Sequence, residues 1–162
     1  MIKLVLFDLD GVLIDSKKMH YDALNSALPN QYKITREEHL NKYDGLKTTE
    51  KLEMLTKEKG LHLSEHKKIY DAKQQETMQL LSNLKPNPEI VKLFLTLNEL
   101  GYKIGVCSNS IRRTVLTTLS QTHLIKYCSV IMSNEDVKNG KPHPEMYWKA
   151  MSIMKCLPEE TI

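Results

Sequence analysis

The sequence predicts an α/β protein, an open parallel sheet with a helical segment inserted after its first strand. Three observations carry that reading. The chain opens on a short apolar run rich in strand formers, residues 15–85 then show helical periodicity with no convincing strand, and strand-like and helix-like segments alternate from Lys85 onward.

The opening run, IKLVLFD over residues 2–8, is apolar on both faces and bounded by Gly11, as expected of a strand buried inside a parallel sheet. Lys3 and Asp8 interrupt it and Asp10 follows, so it does not read as a secretory leader. Ala23, Leu24, Ala27 and Leu28 recur at helical spacing until Pro29 stops them. Thr35 and Glu38 form a capping-box pattern that opens a second helix. A third starts near Thr48, turns Leu52 and Leu55 inward and ends at Gly60, and Ser64 is the expected cap of a fourth.

The segment KPNPE at residues 85–89 is a stiff connection, with Pro88 suited to the first helical position and Gly101 to the end of that helix. Tyr102–Cys107 then reads as a strand, Ile111–Leu119 as a helix, Ser129–Met132 as a short strand, and a last helix starts near Pro144. Right-handed crossovers between such strands give one open sheet, so residues 1–14 and 86–162 form an α/β core and residues 15–85 an inserted helical block.

A chain of 162 residues and 18.7 kDa can bury one core with a small appended module. No apolar run approaches the ~20 residues that span a bilayer, which points to a soluble protein away from membranes. Cys107, Cys128 and Cys156 have no zinc-ligand or CxxC spacing and are expected as reduced, buried thiols of a cytoplasmic protein. Residues 16–85 hold 13 Lys/Arg against 10 Asp/Glu, the remainder 10 against 10, so the net charge of +3 lies wholly in that segment. That excess can attract an anionic substrate, but it lacks the clustering of a nucleic-acid binder.

In an open parallel sheet the site lies beyond the carboxyl ends of the strands. There the sequence places Asp8-Leu9-Asp10-Gly11, then Ser108-Asn109-Ser110, then a loop reaching Lys141. Two carboxylates two residues apart point to one side, and Gly11 lets the chain turn away. These parts suit attack on a phosphate ester, where fixed positive charge and a metal must offset repulsion between anions. Asp8 is the candidate nucleophile. Asp10 is the candidate acid that protonates the leaving oxygen and the base that later activates water. Ser108 offers a hydroxyl and Asn109 a backbone N–H to phosphoryl oxygens, and Lys141 supplies positive charge. Mg²⁺ is the expected cofactor, held by the Asp8 carboxylate and the Asp10 carbonyl.

DLDGVLIDS at residues 8–16, CSNS at 107–110 and GKPHPE at 140–145 resemble, in order, the first three motifs of the haloacid dehalogenase superfamily. The key serine lies 100 positions after Asp8 and the lysine 33 further on. The resemblance extends over essentially the whole chain and is nearest to the phosphoglycolate phosphatase and β-phosphoglucomutase branch. It implies a Rossmann-like sheet, a Mg²⁺-dependent phosphatase acting on a small phosphorylated metabolite, and a helical cap over residues 15–85 that selects the substrate. The turn and helix from Tyr43 to Leu55 resemble the family's substrate-facing cap segment, which makes Lys47, Thr48 and Thr49 the expected contacts. His20 aligns with a histidine often found near the cap hinge.

The family's fourth motif, an acidic pair after the next strand, has no counterpart here. The chain ends at PEETI where that strand is expected. The expectation is therefore a fragment with a sheet incomplete on its C-terminal side, a bare apolar edge on the first strand and one magnesium ligand fewer. A truncated, noncatalytic interaction module is the rival reading, and a phosphosugar mutase is a second. Thr48, where mutase-like members often carry arginine, weighs against the latter. A receiver-like domain is disfavoured by the DxDG spacing and the long insertion. His62 and His66 have the spacing of helical metal ligands but lack an evident third, and His143 is expected to stabilise its turn.

Overall fold

The computed structural model describes every residue from Met1 to Ile162. The elements follow in the order β1 (Leu4–Phe7), α1 (Lys17–Ala27), α2 (Arg36–Glu38), α3 (Thr48–Lys59), α4 (His66–Leu81), α5 (Pro88–Glu99), β2 (Lys103–Cys107), α6 (Arg112–Gln121), β3 (Val130–Met132) and α7 (Glu145–Met154). The chain divides into two compact units, Met1–Ile14 with Leu84–Ile162, and Asp15–Asn83. No helix is long and apolar enough to cross a membrane.

The first unit is built on a parallel sheet in the order β1-β2-β3. Its central strand β2 is buried from Ile104 to Cys107, which is why its sequence carries no polar alternation. Gly105 sits where a Cβ would lie 2.4 Å from Leu6 Cδ2 and 2.7 Å from Val130 Cγ1, so the neighbouring side chains meet over a position only glycine can fill. Helix α5 starts with Pro88 behind an Asn87 cap whose side chain accepts from the Glu89 N–H at 2.9 Å. It buries Phe94 completely, with the Phe7 ring 5.0 Å away, centroid to centroid. Met146 and Ala150 of α7 pack with Cys107, Val130 and Met132.

The outer edge of β1, expected to be bare, is partly paired. The Lys3 N–H donates to the Glu160 carbonyl at 2.8 Å, the Ile162 N–H to the Leu4 carbonyl at 3.0 Å, and the Leu6 N–H to the Ile162 carbonyl at 2.8 Å. A turn at Pro158–Glu160 swings the last residues alongside the strand in parallel, and Lys3 pairs with Glu160 across it. Hydrogen-bonding groups that the sequence pattern left exposed thus have partners from the far end of the chain.

In the second unit α1 packs on α4, and α3 packs on α4. Its core gathers Leu24, Leu28, Ile34, Tyr43, Leu52, Leu55, Leu61 and Ile69. Each such side chain, taken from water, contributes about 1.5–3 kcal/mol before the entropy cost of ordering. Helix α3 ends on Gly60 at φ +73°, where the Leu61 N–H returns to the Leu55 carbonyl. One local expectation holds only at its start and another fails. The Thr35–Glu38 capping box forms, but the helix it opens gives way at once to a wider π turn over His39–Tyr43 that turns both end residues inward. Ser64 does not cap α4. Its N–H instead reaches the His62 ring at 3.4 Å, and a 3₁₀ turn over Leu63–Glu65 leads into the helix.

Candidate active site

The parallel register sets the carboxyl ends of the strands level. Phe7 stands opposite Val106, and Cys107 opposite Met132, so Asp8, Ser108 and Ser133 each leave the sheet at neighbouring points. After Asp8 the chain folds into a tight loop. Gly11 takes φ +81° and donates to the Ile14 carbonyl at 2.8 Å, while Leu13 and Ile14 both donate back to the Leu9 carbonyl. Leu9 and Leu13 anchor that loop in the core at 1% and 4% exposure. The loop that follows Asp8 and carries Asp10 is thereby tied to the core.

Lys141 reaches the first of these carboxylates. Its Nζ lies 2.6 Å from Asp8 Oδ1 and donates to the Cys107 carbonyl at 2.9 Å. The lysine side chain is 15% exposed and the aspartate 39%, so the ammonium is sheltered while the carboxylate faces outward. A charge-assisted contact this short, in a half-buried setting, is stronger than a surface ion pair.

Asp10 is held from the other side. Both the Ser108 and Ser110 hydroxyls donate to Asp10 Oδ2 at 3.1 Å, and the Ser110 N–H donates to Ser108 Oγ at 3.0 Å. Ser108 is fully buried. Asp8, Asp10, Ser108 and Lys141 are therefore brought together. Ser110 joins them although the sequence reading gave it no role. The repeated serine of CSNS was the available signal, since residues two apart can turn to one side. Asn109 lies between the serines with its side chain turned to the Lys141 backbone, and Lys141 N–H donates back to its Oδ1.

The loop that carries Lys141 is organised from α7. The Glu145 carboxylate accepts from the Lys138 and Asn139 N–H groups, each at 2.9 Å, and pairs with Lys149 at 3.4 Å. Those two backbone bonds, ahead of the lysine, hold its carboxyl at about 2. His143 serves its turn, as expected, accepting from the Glu145 N–H at 3.2 Å and meeting the Trp148 ring edge-on. Burial pushes the Cys107 thiol up to about 12 despite the nearby ammonium, so it stays protonated beside the site.

The remaining candidates belong to the helical unit. Lys47 precedes α3, its N–H donating to Glu50 Oε2 at 2.9 Å, and Thr48 and Thr49 form the first turn of that helix. His20 lies on α1. Sequence reasoning passed over three buried side chains of this unit, namely Lys51, Lys73 and His39, at 5%, 7% and 1% exposure. His39 has no hydrogen-bond partner on either ring nitrogen, and burial, with Lys51 adding to it, lowers its pKa to about 4. His62 bonds Ser64 and His66 bonds Thr56 at 2.7 Å, and no third His, Cys, Asp or Glu joins them to make a metal-ligand cluster.

The model of the haloacid dehalogenase-like hydrolase family matches residues 5–162. The chain belongs to that family. Pyrophosphatase PpaX of Anoxybacillus flavithermus is 30% identical over 165 residues, taking in 99% of this chain and 73% of that protein. A predicted phosphoglycolate phosphatase from Haemophilus somnus superimposes with a TM-score of 0.86 at 21% identity, covering 99% of this chain and 75% of its own. β-Phosphoglucomutase from Clostridium difficile gives 0.80 at 22% identity, covering 99% and 74%. At those identities the two structures establish the shared fold.

The donor chemistry of the haloacid dehalogenase-like site suits Mg²⁺. Asp8 and Asp10 offer only oxygen, and no sulfur or imidazole competes among them. Mg²⁺ favours that set, because it is commonly held by one or two carboxylates with waters and substrate phosphate completing its shell. The residues present fit the ion.

Proposed function

We propose that this haloacid dehalogenase-like hydrolase cleaves the phosphate monoester of a small metabolite through an aspartyl-phosphate on Asp8. The observation that carries the reading is the Lys141–Asp8 contact at 2.6 Å, made at the strand ends beside an Asp10 held by two hydroxyls. Asp8 Oδ would attack phosphorus while the bond from phosphorus to the ester oxygen breaks, and Asp10 would give its proton to that departing oxygen. Asp10 would then take a proton from water as the water oxygen attacks the same phosphorus, releasing inorganic phosphate and restoring the Asp8 carboxylate. Ser108 would donate to a phosphoryl oxygen, as would the Asn109 N–H. The Lys141 ammonium would hold Asp8 in its attacking direction and offset phosphoryl charge.

The Asp8 carboxylate and the Asp10 carbonyl would hold Mg²⁺, which when bound supplies further neutralisation of the phosphoryl oxygens. The helical unit is assigned the selection of substrate, with Lys47, Thr48, Thr49 and His20 as its contacts. Support for that part is the family resemblance and the excess of positive charge in this segment. Thr48, where the family resemblance implies an arginine in many mutase-like members, favours hydrolysis over transfer between sugar positions.

The test is hydrolysis of p-nitrophenyl phosphate with MgCl₂ or with EDTA, by the wild type and Asp8→Asn. Magnesium-dependent release of nitrophenol that disappears with Asp8→Asn is expected. Hydrolysis that survives either change would refute the reading. A panel containing pyrophosphate, phosphoglycolate and hexose phosphates then ranks the substrates.

A further inference from the structure

Lys141 is tied at three of its atoms to the end of one strand. Its Nζ donates to the Cys107 carbonyl at 2.9 Å, its N–H donates to Asn109 Oδ1 at 2.9 Å, and its carbonyl accepts from Asn109 Nδ2 at 2.9 Å. The amide orientation is set by that network, since the oxygen faces a donor and the nitrogen an acceptor. A paired donor and acceptor fix the rotation of a neighbouring backbone as well as its distance, much as a ladder step does between strands. The residues joined in this way are 32 positions apart. On the far side the loop is held at Lys138 and Asn139 by Glu145, and both of those residues are exposed.

We infer that Asn109 is a positioning residue, whose side-chain amide grips the Lys141 backbone and so aims the Lys141 ammonium at Asp8. The consequence for turnover rests on the phosphatase reading above, whereas the consequence for lysine geometry does not. A four-carbon side chain can leave its backbone in many directions, and an ammonium is a point charge with no preferred plane. The direction it takes is set by where its backbone is held. Asn109 extends from the same strand end as Ser108, so one segment both places the hydroxyl and orients the lysine. Loss of the amide would remove the direct tie between the Lys141 backbone and the end of β2, leaving the preceding backbone held by Glu145 at Lys138 and Asn139.

The test uses Asn109→Ala and Asn109→Asp in the full chain, each alone and in a Lys141→Ala background. Asp keeps the acceptor for the Lys141 N–H but replaces the donor to its carbonyl with a second acceptor and adds a negative charge, so it breaks the grip without emptying the space and serves as the second variant where Ala fails to fold. Misaiming of a catalytic group costs rate more than binding, so Asn109→Ala should lower kcat for p-nitrophenyl phosphate by roughly 10- to 100-fold with KM changed less than about 3-fold. In the Lys141→Ala background the same change should alter kcat by less than about 2-fold, because residues acting as a unit are not additive. Geometry is read separately by acetylation with an N-hydroxysuccinimide ester, followed by peptide mass spectrometry. Lys141 should react at least ~5-fold faster in Asn109→Ala once its two contacts loosen, with Lys92 and Lys126 unchanged as controls. Unchanged Lys141 labelling, or a full additive loss in the double variant, would overturn the inference. A wild type without phosphatase activity would instead remove the functional reading and leave the labelling to decide the lysine's geometry.

Discussion

The strand ends join the polar side chains of the site to one another, whereas the helical unit leaves one buried ring, that of His39, without a hydrogen bond. At the strand ends the described carboxylates, hydroxyls and the lysine are joined in pairs, from Asp8 with Lys141 to Asp10 with Ser108 and Ser110. In the helical unit His39 is buried at 1% exposure with neither ring nitrogen hydrogen-bonded, the nearest acid being Asp44 at 3.8 Å. Buried polar groups cost stability unless they are paired. The first region is thus organised as a preformed polar network, whereas the second draws its stability from the apolar cluster around Tyr43 and Leu52 and tolerates an uncompensated ring.

That difference can be broken most severely at Lys141. Lys141→Ala should reduce kcat on an aryl phosphate by about 10³-fold or more, as removal of a fixed charge aimed at the reacting group does, with the melting temperature changed by only a few degrees. A loss of rate explained by unfolding would place the lysine among structural residues.

The next largest effect is expected in the sheet. Gly105→Ala sets a methyl group against both Leu6 and Val130, and overpacking of this kind costs about 1–3 kcal/mol in a denaturant titration. An unaltered midpoint would mean that the strands separate more easily than their register implies.

The helical unit is sharpened by acid. The lowered pKa of His39 means that the unfolded chain takes up a proton near 6.5 while the folded chain resists until about 4. Stability from this group is therefore complete above about 6.5 and declines as pH falls toward 4, by at most about 3 kcal/mol at 1.36 kcal/mol per unit. Asp44 opposes the effect, while Lys51 and His20 reinforce it. His39→Phe, which keeps an edge-on ring against Tyr21, should flatten that acid limb of the stability curve. An identical limb in the variant would assign the titration to other groups.

Ser110→Ala gives the smallest change. Ser108 still donates to Asp10, so a decrease in kcat of about 5-fold is expected, consistent with the loss of one of two hydrogen bonds to a charged acceptor. A decrease as large as that of Ser108→Ala would promote Ser110 to an equal partner.

The sequence made the site's framework readable because its parts are local. A buried strand followed by Asp8, Asp10 and Gly11 fixes where the carboxylates stand, and Pro88 and Gly60 mark helix limits through backbone chemistry alone. Features that depend on distant partners were not readable in the same way. The side chain of Asn109 and the hydroxyl of Ser110 acquire their roles from Lys141 and Asp10, and the pairing of β1 with Glu160 and Ile162 depends on how a terminal turn is directed. Capping at Thr35 sets a helix start but not the hydrogen-bond spacing that follows, which is how the π turn at His39 escaped notice. His62 displaced Ser64 from its expected part because a ring nitrogen can accept as well as a hydroxyl can.

The account is tested most directly by trapping the covalent intermediate. Asp10→Asn removes the base needed to discharge the enzyme, while acetyl phosphate, with its good leaving group, does not require the acid. Acid-quenched protein should then carry one phosphoryl group, mapped by peptide mass spectrometry to Asp8 and absent from the Asp8→Asn, Asp10→Asn double variant. A phosphoryl group on Ser108, or turnover by the wild type with no adduct in either form, would contradict the assignment of Asp8 as the nucleophile.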